Sequence, residues 1–107
     1  MRSIVISTGR NIGTEPMPAE QWKRFARAVS WAAEDKGFDV LTVADVLFNG
    51  GEEWGSEETR LHVLGGDGDL EALRKRLSYI MTRFGQEAYA LTIGEVSFIP
   101  ASGQASA

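Results

Sequence analysis

The sequence predicts an α+β fold in which two helices lie on one face of a four-stranded antiparallel sheet. Three observations carry that expectation. Two stretches repeat apolar residues at spacings of three and four, and each is closed by a glycine, the pattern of an amphipathic helix with its C-terminal stop. Four stretches are rich in β-branched or aromatic residues: one before the first helix, two together between the helices, and one after the second. The resulting order, β-α-β-β-α-β, is that of the ferredoxin-like split βαβ arrangement. At 107 residues the chain is long enough for one such domain and too short for two. The domain is expected to occupy residues 1–100, with the small polar run 101–107 as a disordered tail.

Ser3 to Ser7, SIVIS, is the first strand and turns at Thr8, Gly9 and Arg10. The following NIGTEPMP reads as loop from its Gly and Pro content, and Pro18 suits the first turn of a helix, where a missing N–H costs nothing. With Trp22 at zero on a helical wheel, Phe25, Ala26, Val29, Ala32 and Ala33 share one side, which is an apolar stripe. Gly37 ends this helix. Phe38 to Phe48 is apolar in both phases, as in a strand with two partly covered faces. NGGEEWGSEE connects it as a hairpin to Thr59–Leu64, which alternates Leu61 and Val63 with Arg60 and His62. That alternation predicts Leu61 and Val63 toward the core and His62, beside Arg60, on the bare face of the sheet.

GGDGD opens the second helix, with Asp67 or Asp69 as cap. Leu70, Leu73, Leu77, Ile80, Met81 and Phe84 form the clearest helical period in the chain. Acidic residues at its start, and Arg74, Lys75, Arg76 and Arg83 further along, complement the helix dipole. After Gly85, Ala88 to Ile99 reads as the last strand, with a bulge at Gly94, and Pro100 stops it.

Composition narrows the function classes. A net charge of −4 argues against non-specific nucleic-acid binding, which needs basic surface. The absence of cysteine removes thiolate chemistry, disulfides and sulfur-based zinc sites. No apolar stretch reaches the roughly 20 residues of a membrane-spanning helix, and MRSIVIST lacks the features of a secretory signal. These readings predict a cytoplasmic protein with no membrane or nucleic-acid partner and no cofactor.

The candidate positions each have two readings. Gln86 and Glu87 follow the helix-ending Gly85, and there Gln86 either pairs with loop backbone while Glu87 stays in solvent, or the two belong to a site at the sheet end with Arg10 as a partner for Glu87. Arg10, after Gly9, is either half of an ion pair or a guanidinium offered to an anion. His62, the only histidine, is either an interface imidazole or a general base in need of an orienting acid. Glu52, Glu53, Glu57 and Glu58 form a solvated loop or a hard-metal cluster that matches no calcium motif. Trp31 falls about 180° from Trp22 on the wheel, and Trp54 sits in the polar hairpin, so both are candidates for contact surface, where tryptophan is enriched.

Gly9-Arg10, Trp22 and Phe25, Gly37 with Thr42-Val43 and Asp45, Trp54, Glu57 and Arg60, then Tyr79 and Arg83-Phe84-Gly85-Gln86-Glu87 together resemble a family of small bacterial proteins, many of them exported. RFGQE is the most specific part, and the chain differs from the family in lacking an export signal and a Pro-containing run before Gly37. The resemblance implies the fold and a shared polar set, Arg10, Asp45, Glu57, Gln86 and Glu87, without an activity. Three functional readings follow. The first is an interaction protein that forms a homodimer through its bare sheet face and meets a protein partner through Trp31 and Trp54. The second is a binding site for an anionic small molecule, or a small enzyme, with Arg10 holding the anion and His62 or Glu57 handling protons. The third is an accessory or phage-type inhibitor of a larger host protein.

Overall fold

The computed structural model describes residues 2–49, 56–97 and 99–101. Its elements run β1 (Arg2–Gly9), β2 (Asn11–Ile12), β3 (Glu15–Pro16), α1 (Ala19–Asp35), β4 (Asp39–Asn49), β5 (Ser56–Gly65), α2 (Leu70–Arg83) and β6 (Ala90–Glu95). The large sheet has the order β4-β5-β1-β6 with all neighbours antiparallel. This is the expected ferredoxin-like α+β arrangement, with the helices on one face. The loop expected between β1 and α1 contains a short hairpin, in which β2 pairs with β3 through Asn11 opposite Pro16.

Both helices stop as their glycines dictate. Gly37 and Gly85 have φ of +91° and +72°, a region that a residue without Cβ enters at little cost. At the end of α1, Phe38 N donates to Ala33 O at 3.0 Å and Gly37 N to Glu34 O at 3.1 Å. At the end of α2, Gln86 N donates to Met81 O at 2.8 Å and Gly85 N to Thr82 O at 3.3 Å. Both are Schellman closures, which satisfy carbonyls the helix leaves open. Asp69 caps the start of α2, its Oδ1 accepting from Ala72 N at 3.0 Å. Pro18 occupies the cap position of α1 itself.

The helical stripes enclose the core as their spacing predicts. Trp22, Phe25, Val29, Ala32 and Ala33 from α1 meet Leu73, Leu77, Ile80 and Met81 from α2 over Ile4, Ile6 and Leu64 of the sheet. Phe25 stacks on Phe84 with ring centroids 4.9 Å apart, a contact that adds to burial of the two rings.

The sheet departs from expectation in two places. β6 ends at Glu95 and Gly94 pairs in register with Ser3, so no bulge lies there. The irregularity is between Val40 and Thr42 in β4, which frees Leu41 to lean over Gly65, 64% exposed. The second departure is the phase of β5. Arg60 and His62 face the helices and are buried, while Leu61 and Val63 face away. Alternation says that the two sets lie on opposite faces and leaves open which face is covered. Arg60 meets Asp45 and the Trp22 carbonyl oxygen, and His62 meets the Ala26 carbonyl oxygen through one ring nitrogen.

The outward face is therefore apolar at its centre. Val5 pairs with Val63, which pairs with Thr42, and Ser7 pairs with Leu61, which pairs with Ala44. Cross-strand partners share a face, so Val5, Leu61 and Val63 form a patch that continues along β4 to Val46 and Phe48, 44% and 58% exposed.

Candidate functional site

The polar groups of the inner sheet face gather at the end where β1 leaves the sheet. Thr8, Arg60 and Asp45 are consecutive cross-strand partners on β1, β5 and β4. Arg60 Nε donates to Asp45 Oδ1 at 2.6 Å and its Nη2 to Asp45 Oδ2 at 3.0 Å, a forked pair. Nη1 donates to the Trp22 carbonyl oxygen at 2.7 Å, and the guanidinium lies over the Trp22 ring. The hydrogen bonds from Arg60 hold the Asp45 carboxyl below the usual carboxylate range. A guanidinium so fully engaged is tolerated under a helix because its donors have acceptors and its face has an aromatic ring.

His62 is one pair further along β5, between Ile6 and Val43. It is fully buried, and its Nε2 lies 3.2 Å from the Ala26 carbonyl oxygen. That contact makes Nε2–H the donor and leaves Nδ1 as a buried acceptor without a partner among the described residues. Burial lowers the imidazole pKa below its ordinary 6.5. The expectation that His62 sits on the bare sheet face is thus corrected: it lies beneath α1, closed off from the open face.

Arg10 begins the next layer. Its backbone N–H donates to Glu58 O at 2.9 Å, extending the β1–β5 pairing by one residue. Its Nη1 donates to Glu58 Oε2 at 2.5 Å and its Nε to Met17 O at 2.8 Å. Glu57 turns the other way: its Oε1 accepts from Asn11 N at 2.9 Å. Gly9 makes this possible, because a Cβ there would collide with the Glu57 carboxylate. A cavity of about 340 Å³ at this end is lined by Arg10, Asn11, Leu47, Glu57 and Glu58 among others.

Gln86 joins the same end from the opposite side of the chain. Its Nε2 donates to Asn11 O at 3.0 Å, so it pairs with loop backbone, and Glu87 is exposed beside Thr82 and Tyr89. The structure gathers Arg10, Glu57, Glu58 and Gln86 around the β2–β3 hairpin, and Asp45, Arg60 and His62 along β5. It gives Arg10 to Glu58 and leaves Glu87 outside the cluster. Trp31 is 67% exposed on the outer side of α1, as the wheel predicts, while Trp54, with Glu52 and Glu53, lies outside the described residues. Sequence reasoning missed Glu58 as the Arg10 partner and Trp22 as a second support for Arg60. Cross-strand registry is the only signal that would have found the first.

Among the described residues no group of three His, Cys, Asp or Glu is placed to hold a metal ion, and no helix is long and apolar enough to cross a membrane. No protein-family model and no curated protein matches the chain. Solved structures do. A phage SAM lyase in complex with S-methyl-5′-thioadenosine aligns over 88% of this chain and 80% of its own at 16% identity, with a TM-score of 0.51. A protein of unknown function from Galdieria sulphuraria aligns over 90% of this chain at 12% identity and a TM-score of 0.49. The chain spans about half the length of the Galdieria protein, 49%. At these identities the likeness is one of fold.

Proposed function

We propose that this chain works as a self-associating unit, a homodimer joined through its open sheet face. The observation that carries the reading is the phase of β5: Leu61 and Val63 point away from the helices while Arg60 and His62 point toward them. A sheet face meant for water shows the reverse, and a contiguous apolar patch on a small protein marks a contact surface. A two-fold axis, the commonest symmetry of soluble oligomers, would set this patch against its own copy. A stable association buries roughly 1,200 Å² or more in total, which a four-stranded face can supply. Light scattering coupled to size exclusion tests the reading. A dimer is expected, with Leu61→Lys shifting it to monomer. A monomer at high micromolar concentration would remove the proposal.

A second reading concerns the cavity at the Arg10 end. Arg10 is held by Glu58 and Met17 O, and Glu57 and Glu58 both border the space. Two carboxylates against one guanidinium favour a cationic or zwitterionic ligand over a simple anion. The phage SAM lyase of the same fold holds a thioether nucleoside, and its named substrate is a sulfonium with an amino-acid end. We propose S-adenosylmethionine as the probe for this cavity. Calorimetric binding that is lost in Glu57→Gln and Arg10→Ala supports this reading, and binding unchanged in both variants sinks it.

A further inference from the structure

The outer side of the helix layer carries a second feature, independent of the sheet face and of the Arg10 end. Helix α2 presents Arg74, Lys75, Arg76 and Arg83 against one acid, Glu71, on a chain whose net charge is −4. Between α1 and α2 runs a groove of about 600 Å³. Its floor includes Ala28 and Ala32, whose short side chains leave the space open. Its two sides carry Trp31 from α1 and Tyr79 from α2, 67% and 52% exposed. Large exposed aromatics flanking one hollow are an expensive use of surface unless something covers them.

The charge at the groove is arranged on one side. Arg76 and Arg83 flank Tyr79, their guanidinium carbons 5.3 Å and 5.9 Å from its ring centroid, and Arg83 Nη1 donates to Tyr79 Oη at 3.2 Å. Neither guanidinium makes an ion pair among the described residues. The single acid in the groove, Asp35, is engaged by Lys36 Nζ at 3.1 Å. The site thus offers an aromatic wall on α1 and two oriented, unneutralised cations on α2.

We infer that this groove binds a small anion bearing a planar ring, of the nucleoside-phosphate class. The ring covers the Trp31 indole and the alanine floor, where base-on-aromatic stacking is favourable and tolerant of base identity. The phosphate meets Arg76 and Arg83, whose planar forks match its oxygens. Asp35 blocks continuation of a polyanion along the groove, which selects a compact ligand over an extended nucleic acid. The volume falls in the range of small-molecule sites, about 300–1,000 Å³.

The test is calorimetric titration of the full chain with adenosine 5′-monophosphate, with adenosine and ribose 5-phosphate as half-ligands. Saturable binding of the monophosphate is expected, with each half-ligand at least about tenfold weaker. Trp31→Ala and Arg83→Ala are each expected to weaken it by about fivefold or more, and Arg74→Ala, outside the groove lining, to leave it unchanged. All three positions are exposed, so equal thermal melting separates lost binding from lost folding. Absence of saturable binding, ribose 5-phosphate binding as well as the nucleotide, or indifference to Trp31→Ala and Arg83→Ala would each overturn the inference.

Discussion

The guanidinium carbon of Arg60 lies 4.0 Å from the centroid of the Trp22 ring, and Arg60 Nη1 donates to the carbonyl oxygen of that same Trp22 at 2.7 Å. One side chain from the sheet therefore grips both the ring and the backbone of α1. Its other edge grips Asp45 on the edge strand β4. The helix, the central sheet and the edge strand are tied through one cation.

Arg60→Ala leaves the buried Trp22 carbonyl without its donor, at a cost of about 1–3 kcal/mol, while the Asp45 side chain, 55% exposed, loses a counter-charge that solvent largely replaces. Arg60→Lys keeps the charge and loses the fork. Urea unfolding should place it well below the wild type, and a Lys variant of undiminished stability would refute the clamp.

His62 supplies a pH dependence whose sign is fixed by its burial. Its folded pKa lies below 6.5, so as pH falls below 6.5 the unfolded chain takes up a proton that the folded chain resists. Stability is fully present above pH 6.5 and is lost as pH falls from there toward the folded value. Asp45, also depressed, adds its own loss only when pH falls below the ordinary 3.8. Melting temperature should therefore drop on moving from pH 7.5 to 5.5. Because His62 is the only histidine, His62→Gln should flatten that limb, and one imidazole resonance should titrate below 6.5.

Gly68 is closed to larger residues. A Cβ there would meet the Phe38 ring at 2.4 Å and the Lys36 carbonyl oxygen at 2.6 Å, and the latter is backbone that accepts from Asp69 N at 2.8 Å. Gly68→Ala is expected to cost about 1–3 kcal/mol, the usual range for overpacking, measured by chemical denaturation. Gly94→Ala, where a Cβ meets nothing within 4 Å, is the control that should change little.

Gln86→Ala removes the bond to Asn11 O and should cost about 1 kcal/mol. Glu87→Ala, exposed and outside the cluster, should cost nothing measurable. Equal effects of the two on thermal melting would contradict the separation of roles.

How far the sequence shows this arrangement depends on the reach of each interaction. The helices, both Schellman glycines and the outward Trp31 are legible because each rests on residues within a few positions of one another. The inward phase of β5 is not, because the partners that make Arg60 and His62 acceptable inside are Asp45, Trp22 and Ala26, on elements 15, 38 and 36 residues away. A rule that places leucine and valine inside then inverts the face. The same limit explains Gln86: that it would pair with loop backbone is legible from its turn, and that the loop is the β2–β3 hairpin is not. Two-residue strands such as β2 and β3 carry too little pattern to be seen at all.

The position of β1 has a consequence for how the chain is made. β1 leaves a ribosome before the other three strands of its sheet, yet its hydrogen-bonding neighbours are β5 and β6, which come from 56–65 and 90–95. Only β4 and β5 form a hairpin between adjacent strands of the sheet. During synthesis Ile4, Val5 and Ile6 therefore wait with both backbone edges unpaired until β5 emerges, and with one edge still open until β6 does. A chain halted before residue 90 would present one edge of its central strand as a template for other chains, so nascent-chain crosslinking at Val5 should persist until β6 clears the exit tunnel.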